Sequence, residues 1–399
     1  MNKSIFHDHL CNDLIPFWNK MKDEKYGGFY GYADHNGIAD VQSAKGAILN
    51  SRILWFYSSC YQLLKEKELL SMADHAYRFM AEHFYDKVYG GVYWSVNADG
   101  SANDDIKHTY NQAFAVYALS VYYQASGNDD ALRLAYTLYH IIEEKCRDRE
   151  GYLEAFSRDF SPISNDKLSE NGVLADRTMN TALHMLECYT ELYKADGSAD
   201  VADSLREILR LFQTKIYDPE KKICKVFFDK DYNSIIDLES FGHDIEASWL
   251  IDRACTVLGD AKCRQEMLPI IIGLSERAYS HGIDQTYHAM NNECENGMLN
   301  KRKIWWVQAE SVIGFYNAYQ NQPEHTEYLH MSEQVWGYIS RYMIDREHGE
   351  WIENIEGDNT VQPCQPLVHA WKCPYHNSRM CIEMIRRLQI GRASCRERV

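Results

Sequence analysis

Apolar and polar positions follow two distinct helical rhythms along this chain. In 68–84, Leu69, Leu70, Ala73, Ala76, Met80 and Phe84 recur at i, i+3 and i+4, with polar residues on the opposite face. That spacing predicts an outer helix, half buried and half in water. By contrast, 110–125 (YNQAFAVYALSVYYQA) and 48–64 are apolar or aromatic nearly all round, which predicts inner helices enclosed on every side. Between such pairs fall short aromatic, β-prone segments: YGGFYGY (26–32), YGGVYWS (89–95), EGYLEAFS (150–157), KKICKVFFD (221–229) and HGEWIENI (348–355). Four of the five carry glycine, and they read as hairpin-like turns about 60 to 75 residues apart until a longer gap before the last. A further turn expected around 295–300 fills that gap and makes six units.

Six units of paired helices predict an all-α fold, an (α/α)6 barrel (toroid) in which inner helices ring a cavity and outer helices wrap them. An open α-solenoid built from similar pairs is the competing arrangement. Closure is favoured because chemically specialised residues occur on inner helices at both ends of the chain, and only closure brings Arg52 near His376. The eight prolines are scattered and no Pro/Ser/Gly-rich linker intervenes, so a single domain over 1–390 is expected. The last residues, GRASCRERV (391–399), break from the preceding helical pattern and read as a cloning scar.

Composition narrows the partners. The 399 residues, 45% of them hydrophobic, suffice for a large core. A net charge of −16 without a long basic stretch argues against nucleic acid and anionic membranes. The opening residues carry charges where a signal peptide needs an apolar run, and no stretch of eighteen apolar residues occurs, so a soluble cytoplasmic protein is expected, as a monomer. Without an export signal, the twelve cysteines read as reduced, mostly buried residues. Neither C-x-x-C nor H-E-x-x-H is present, and G-x-G-x-x-G is absent too. No metal and no cofactor are expected.

Five polar clusters open helices along the chain: SRILWFY (51–57), NTALH (180–184), GHDIEA (242–247), WWVQAE (305–310) and WKCPYHNSRM (371–380). Together they deliver His, Glu, Arg, Asn and Trp to one shared pit, which suits a sugar and proton-transfer chemistry. His243 and Glu246 are three apart and share a helix face, with Gly242 permitting a sharp turn before them; alternatively, this is a polar helix start with Asp244 as an N-terminal charge. His376 follows Pro374 and has Arg379 one turn on; a lone histidine beside a proline is ordinarily structural, but two histidines in similar helix-opening contexts strengthen a functional reading. His184 lies one turn after Asn180 on an otherwise apolar helix, where a satisfied core histidine is the ordinary reading. Trp306 and Glu310 share a face while Trp305 points about 100° away. An indole stacks on a pyranose and an acid takes its hydroxyls, or the pair is core filler with a helix ion pair. Arg52, inside a strongly apolar helix, calls for an anionic partner or transition state. Tyr110 and Asn111 offer either further hydrogen bonds or buried caps.

SENG (169–172), TMN (178–180), GHDIEASWLIDRA (242–254), WWVQAE (305–310) and WKCPYHN (371–377) together resemble the cellobiose 2-epimerases of the N-acylglucosamine 2-epimerase superfamily, over about residues 5 to 390. The resemblance implies the same barrel and a cofactor-free epimerisation of the reducing-end glucose of β-1,4-linked disaccharides such as cellobiose to mannose. It further implies His243 and His376 as the acid/base pair flanking C2, and His184 in opening the sugar ring. Arg52 would hold the oxygens that become a cis-enediolate. Asn180, Glu246 and Glu310 would bind hydroxyls with help from Tyr110, and Trp306 and Trp371 would stack on the sugar rings. An unperturbed histidine pKa of about 6.5 would leave one ring neutral and the other protonated at neutral pH. Competing readings are a mannose or N-acetylglucosamine 2-epimerase or an aldose–ketose isomerase of the same superfamily, an inverting glycoside hydrolase using Glu246 and Glu310, and a carbohydrate-binding scaffold without catalysis.

Overall fold

The protein, as a computed structural model, is described for residues 1–167 and 172–396, and for side chains through residue 389. Its helices are α1 (Lys3–His9), α2 (Ile15–Asn19), α3 (Ala47–Leu64), α4 (Lys67–Phe79), α5 (Thr109–Ser126), α6 (Asp129–Ile141), α7 (Met179–Asp196), α8 (Ala199–Leu211), α9 (Phe241–Leu258), α10 (Ala261–Arg277), α11 (Trp305–Asn321), α12 (Thr326–Tyr338) and α13 (His376–Arg396). The odd-numbered helices from α3 to α13 form the inner ring: each packs on the next, and α13 packs back on α3. The even-numbered helices from α4 to α12 each lie outside the inner helix that precedes them, and α1 covers α13. This is the closed (α/α)6 barrel. The backbone of α13 continues to Arg396, past the point where the sequence pattern breaks at Gly391.

Hydrophobic content sorts the two layers. Every residue of α5 from Thr109 to Tyr122 is buried, whereas α4 buries Leu69, Met72, Ala73, Ala76 and Phe79 and leaves its other face outward. The outer helix expected over 68–84 ends its α-helical part at Phe79 and closes in a five-residue π-helical turn, 80–84. Equivalent turns occur at 10–14, 142–146, 212–216, 278–282 and 339–343. In each, the first and last residues are buried, as with Met80 and Phe84 or Ile339 and Met343. A turn closed by i→i+5 bonds sets residues four apart nearly in line, so both reach the core.

After each π-turn the chain makes a hairpin headed by an aspartate: Asp23, Asp86, Asp148, Asp218, Asp284 and Asp345. Each Oδ1 accepts the backbone N–H groups two and three residues on. Five of these hairpins coincide with the aromatic segments of the sequence. The sixth does not lie at 295–300 but at Asp284, where His288 adopts the left-handed φ of 53° and hides the glycine signature. The 295–300 turn is an additional hairpin, Glu293–Glu295 paired with Met298–Asn300, and it adds to the Leu238–Ser240 strand just before α9. Of the SENG motif, residues 169–171 lie outside the described residues. Among the described residues every cysteine is free, and no helix is long and apolar enough to cross a membrane.

Candidate active site

The N-terminal ends of the inner helices surround a cavity of about 350 Å³, in the range of small-molecule sites. Nine of the ten residues expected at the site line it: Arg52, Tyr110, Asn180, His184, His243, Glu246, Trp306, Trp371 and His376. They come from all six inner helices or the segments leading into them. The tenth, Glu310, is fully buried and lies behind His376 rather than on the cavity wall. It was expected to take a sugar hydroxyl; its carboxylate instead lies 2.7 Å from His376 Nδ1 and accepts the Trp249 indole N–H at 3.0 Å.

All three histidines are held by Nδ1. His376 is held by Glu310, His184 meets Glu187 Oε2 at 3.1 Å, and His243 meets the Ser240 hydroxyl at 2.8 Å. Nε2 is the remaining ring nitrogen of each, on rings that line the cavity. Ser240 is the residue before α9, yet its side chain caps no helix amide; it serves His243 instead. Trp306 packs near two of these rings, with ring centroids 4.7 Å from His243 and 5.6 Å from His376. Trp305, placed by periodicity on another face, also reaches the cavity, edge-on to His376 at 5.5 Å.

Gly242 has a role different from the one expected. It is helical, without a positive φ, so no sharp turn requires it. A Cβ there would meet Val307 Cγ2 at 2.6 Å and the Trp306 ring at 2.7 Å. Glycine lets α11 bring Trp306 against His243.

Enclosure in the barrel sets the electrostatics. Burial, and then the neighbouring His184, push His243 down to about 3. Burial also holds His376 well below the usual histidine range, aided by Arg379, Arg52, His184 and His243. Both rings are therefore neutral in the free protein near pH 7, in contrast to the one-neutral, one-protonated state expected from an unperturbed pKa. Burial and the adjacent Glu310 raise Glu246 to about 7.

Arg52 is buried among neutral groups. Its guanidinium donates to the Tyr110 hydroxyl at 3.0 Å and the Trp371 carbonyl at 3.4 Å, and stacks on Phe114 and Tyr375. Among the described residues no carboxylate pairs with it, and its Nε has no acceptor. Asn180 Oδ1 is likewise buried without a donor. Such a cation at the cavity wall favours a ligand that is, or becomes, negative.

Glu246, Glu310 and His376 place possible ligand atoms within 4.8 Å of one another, the one such metal-capable group among the described residues. A positive charge already sits among them: the Arg379 guanidinium contacts Glu246 and lies 2.7 Å from Glu310. Sequence reasoning noted Arg379 only by its spacing from His376 and passed over Glu187, although both follow a site histidine by three residues. Lys167, Asn292, Arg302, Glu353 and Asn354, which also line the cavity, were missed, since they lie in loops and strands without helical periodicity.

Residues 28–378 match the family model for N-acylglucosamine 2-epimerase (GlcNAc 2-epimerase). The chain is 47% identical to a cellobiose 2-epimerase of Ruminococcus albus, covering 96% of this chain and 98% of that protein. It is 44% identical to a cellobiose 2-epimerase of Eubacterium cellulosolvens, covering 98% and 100%. Its structure is similar to that of a sugar epimerase from a ruminal bacterium, with a TM-score of 0.95 at 46% identity over 97% of this chain and 99% of the other. The chain belongs to the N-acylglucosamine 2-epimerase family and is a carbohydrate epimerase, an isomerase.

Proposed function

We propose that this epimerase inverts C2 of the reducing-end sugar of a β-1,4-linked disaccharide, interconverting cellobiose and 4-O-β-D-glucosyl-D-mannose. The observation that carries the reading is the set of three histidines anchored at Nδ1 around one cavity, beside an arginine without a counter-ion. His184 assists the proton shift from O1 to the ring oxygen that opens the sugar. A neutral imidazole, His243 or His376, then takes the C2 proton through Nε2. The electrons of the C–H bond move into a cis-enediolate, whose oxygens face Arg52.

The second histidine returns a proton to the opposite face of C2. Both rings start neutral, so the returning ring must first gain a proton from solvent, and the first ring gives the C2 proton up to solvent to close the cycle. Negative charge on the enediolate favours that protonation, and the acid forms only while the intermediate is present. Each positioned acid or base contributes on the order of 10² to 10⁴-fold. Trp306, against both rings, and Trp371 offer faces for the apolar sides of the sugars. The polar side chains of Lys167, Asn292, Arg302, Glu353 and Asn354 also line the cavity and offer partners for the hydroxyls of a second sugar ring. The names of the two relatives support the same substrate.

The test is incubation with cellobiose in D₂O without added metal or nucleotide, followed by NMR. The expected product is 4-O-glucosyl-mannose with deuterium at C2. Free glucose would overturn the reading in favour of hydrolysis, a ketose product in favour of an isomerase, and an unchanged disaccharide in favour of a monosaccharide substrate.

A further inference from the structure

At the cavity wall and behind it, three carboxylates converge on one guanidinium. Arg379 Nη1 donates to Glu187 and lies 2.6 Å from the Tyr375 hydroxyl, which itself donates to Glu187. Its Nη2 donates to Glu246 and lies 2.7 Å from Glu310. The guanidinium plane is sandwiched against the Tyr375 and Trp249 rings, 4.4 and 5.0 Å from their centroids. All of these groups are buried, and Arg379 is 1% exposed. Glu187 holds His184, and Glu310 holds His376. One continuous chain of contacts, His184–Glu187–Arg379–Glu310–His376, therefore joins two histidines that stand on different inner helices.

We propose that Arg379 is a positioning residue that keeps Glu187 and Glu310 ionised together, and so fixes His184 and His376 as the Nδ1–H tautomers whose Nε2 can act as a base. The physical reason is charge crowding. Three buried carboxylates cannot all ionise in a low-dielectric interior without a cation among them. Burial opposes ionisation of Glu187, yet Arg379, followed by His184, more than offsets it and holds that carboxyl well below the usual range. At Glu310 burial prevails and leaves the carboxyl above its usual value on balance, with Arg379 and then the Trp249 indole pulling against it, so this is the carboxylate that loss of the guanidinium would most readily protonate.

Removal of the guanidinium would hand a proton to one of the carboxylates. A protonated Glu310 donates its hydrogen to His376 Nδ1, and the ring then carries its own proton on Nε2. In that tautomer His376 cannot accept the C2 proton. The groups facing Glu310 and His376 are Glu246, Glu187, Arg379, Arg52, His184 and His243, and Arg379 is the one cation that touches all three carboxylates.

This inference rests on the proposed epimerisation, so its test includes a readout that needs no substrate. ¹⁵N-histidine NMR of the wild-type protein, with His376 assigned by difference from His376→Ala, should show the Nδ1–H tautomer at pH 7. In Arg379→Met it should show Nε2–H. Turnover on cellobiose should fall about 100-fold near neutral pH with KM changed little, and should recover as pH rises and the carboxylate ionises. Adding Glu187→Gln removes one negative charge while keeping an acceptor for His184, and should restore part of the lost turnover.

If Arg379→Met does not fold, Arg379→Gln keeps polar donors but removes the charge, and is read the same way. An unchanged His376 tautomer in a folded variant overturns the proposal. So does a pH profile of unchanged shape, or a double variant no better than the single one. A wild-type protein inactive on cellobiose but with the expected tautomer shift would count against the substrate reading and leave the role of Arg379 supported.

Discussion

Arg52→Met should separate stability from catalysis at a single position. Arg52 is 3% exposed, and its guanidinium has no carboxylate partner among the described residues. It is held by the Tyr110 hydroxyl at 3.0 Å, a carbonyl at 3.4 Å and ring faces 4.3 and 4.7 Å away. Each ring contact offers about 0.5 to 2 kcal/mol, and each hydrogen bond of a charged group about 1.5 to 3 kcal/mol. Burying the cation costs several kcal/mol. These terms roughly cancel, and methionine fills similar volume without the desolvation cost. The melting temperature should therefore stay the same or rise. Turnover should fall about 10² to 10³-fold, the range for losing one preorganised donor to a developing oxyanion. Calorimetric melting and initial rates on cellobiose measure the two quantities. A marked drop in melting temperature with turnover preserved would refute the reasoning and make Arg52 a structural cation.

Two further outcomes follow from particular contacts. Gly242→Ala should cost about 1 to 3 kcal/mol through overpacking, because its Cβ meets Val307 and Trp306 at 2.6 and 2.7 Å. It should also lower turnover by displacing Trp306 from His243; chemical denaturation and steady-state rates check both effects, and unchanged values for each would show that α9 and α11 can part freely. His108, buried and pushed down to about 4 by desolvation, stays neutral while the unfolded chain binds a proton below its pKa of about 6.5. Stability therefore falls as pH drops from about 6.5 to about 4, by about 3 kcal/mol at the acid end, and denaturant midpoints across that range should be flatter in His108→Gln.

Much of the site was legible because barrel enzymes of this kind present their chemistry from helix starts. A polar residue in an otherwise apolar inner helix, such as Arg52 or His184, contradicts its surroundings and marks itself. Arg379 and Glu187 gave only a spacing of three residues from a histidine, the same signal as an ordinary helix ion pair. Their burial and their convergence on one point, from α7 and α13, belong to the closed ring.

The sequence by itself determined the alternation of inner and outer helices, five of the six hairpins and nine of the residues that line the cavity, because helical periodicity and aromatic turns are local properties. It could not locate the hairpin at Asp284, where histidine occupies a left-handed position that glycine holds in the YGG turns. Nor could it explain Gly242, whose reason is a neighbouring helix rather than its own backbone. Only the tertiary structure decided that Glu310 stands behind His376, that both flanking histidines are neutral, and that Arg379 links three carboxylates. Charge states and hydrogen-bond partners depend on which groups closure brings together and how far it removes them from water, and no local spacing encodes either.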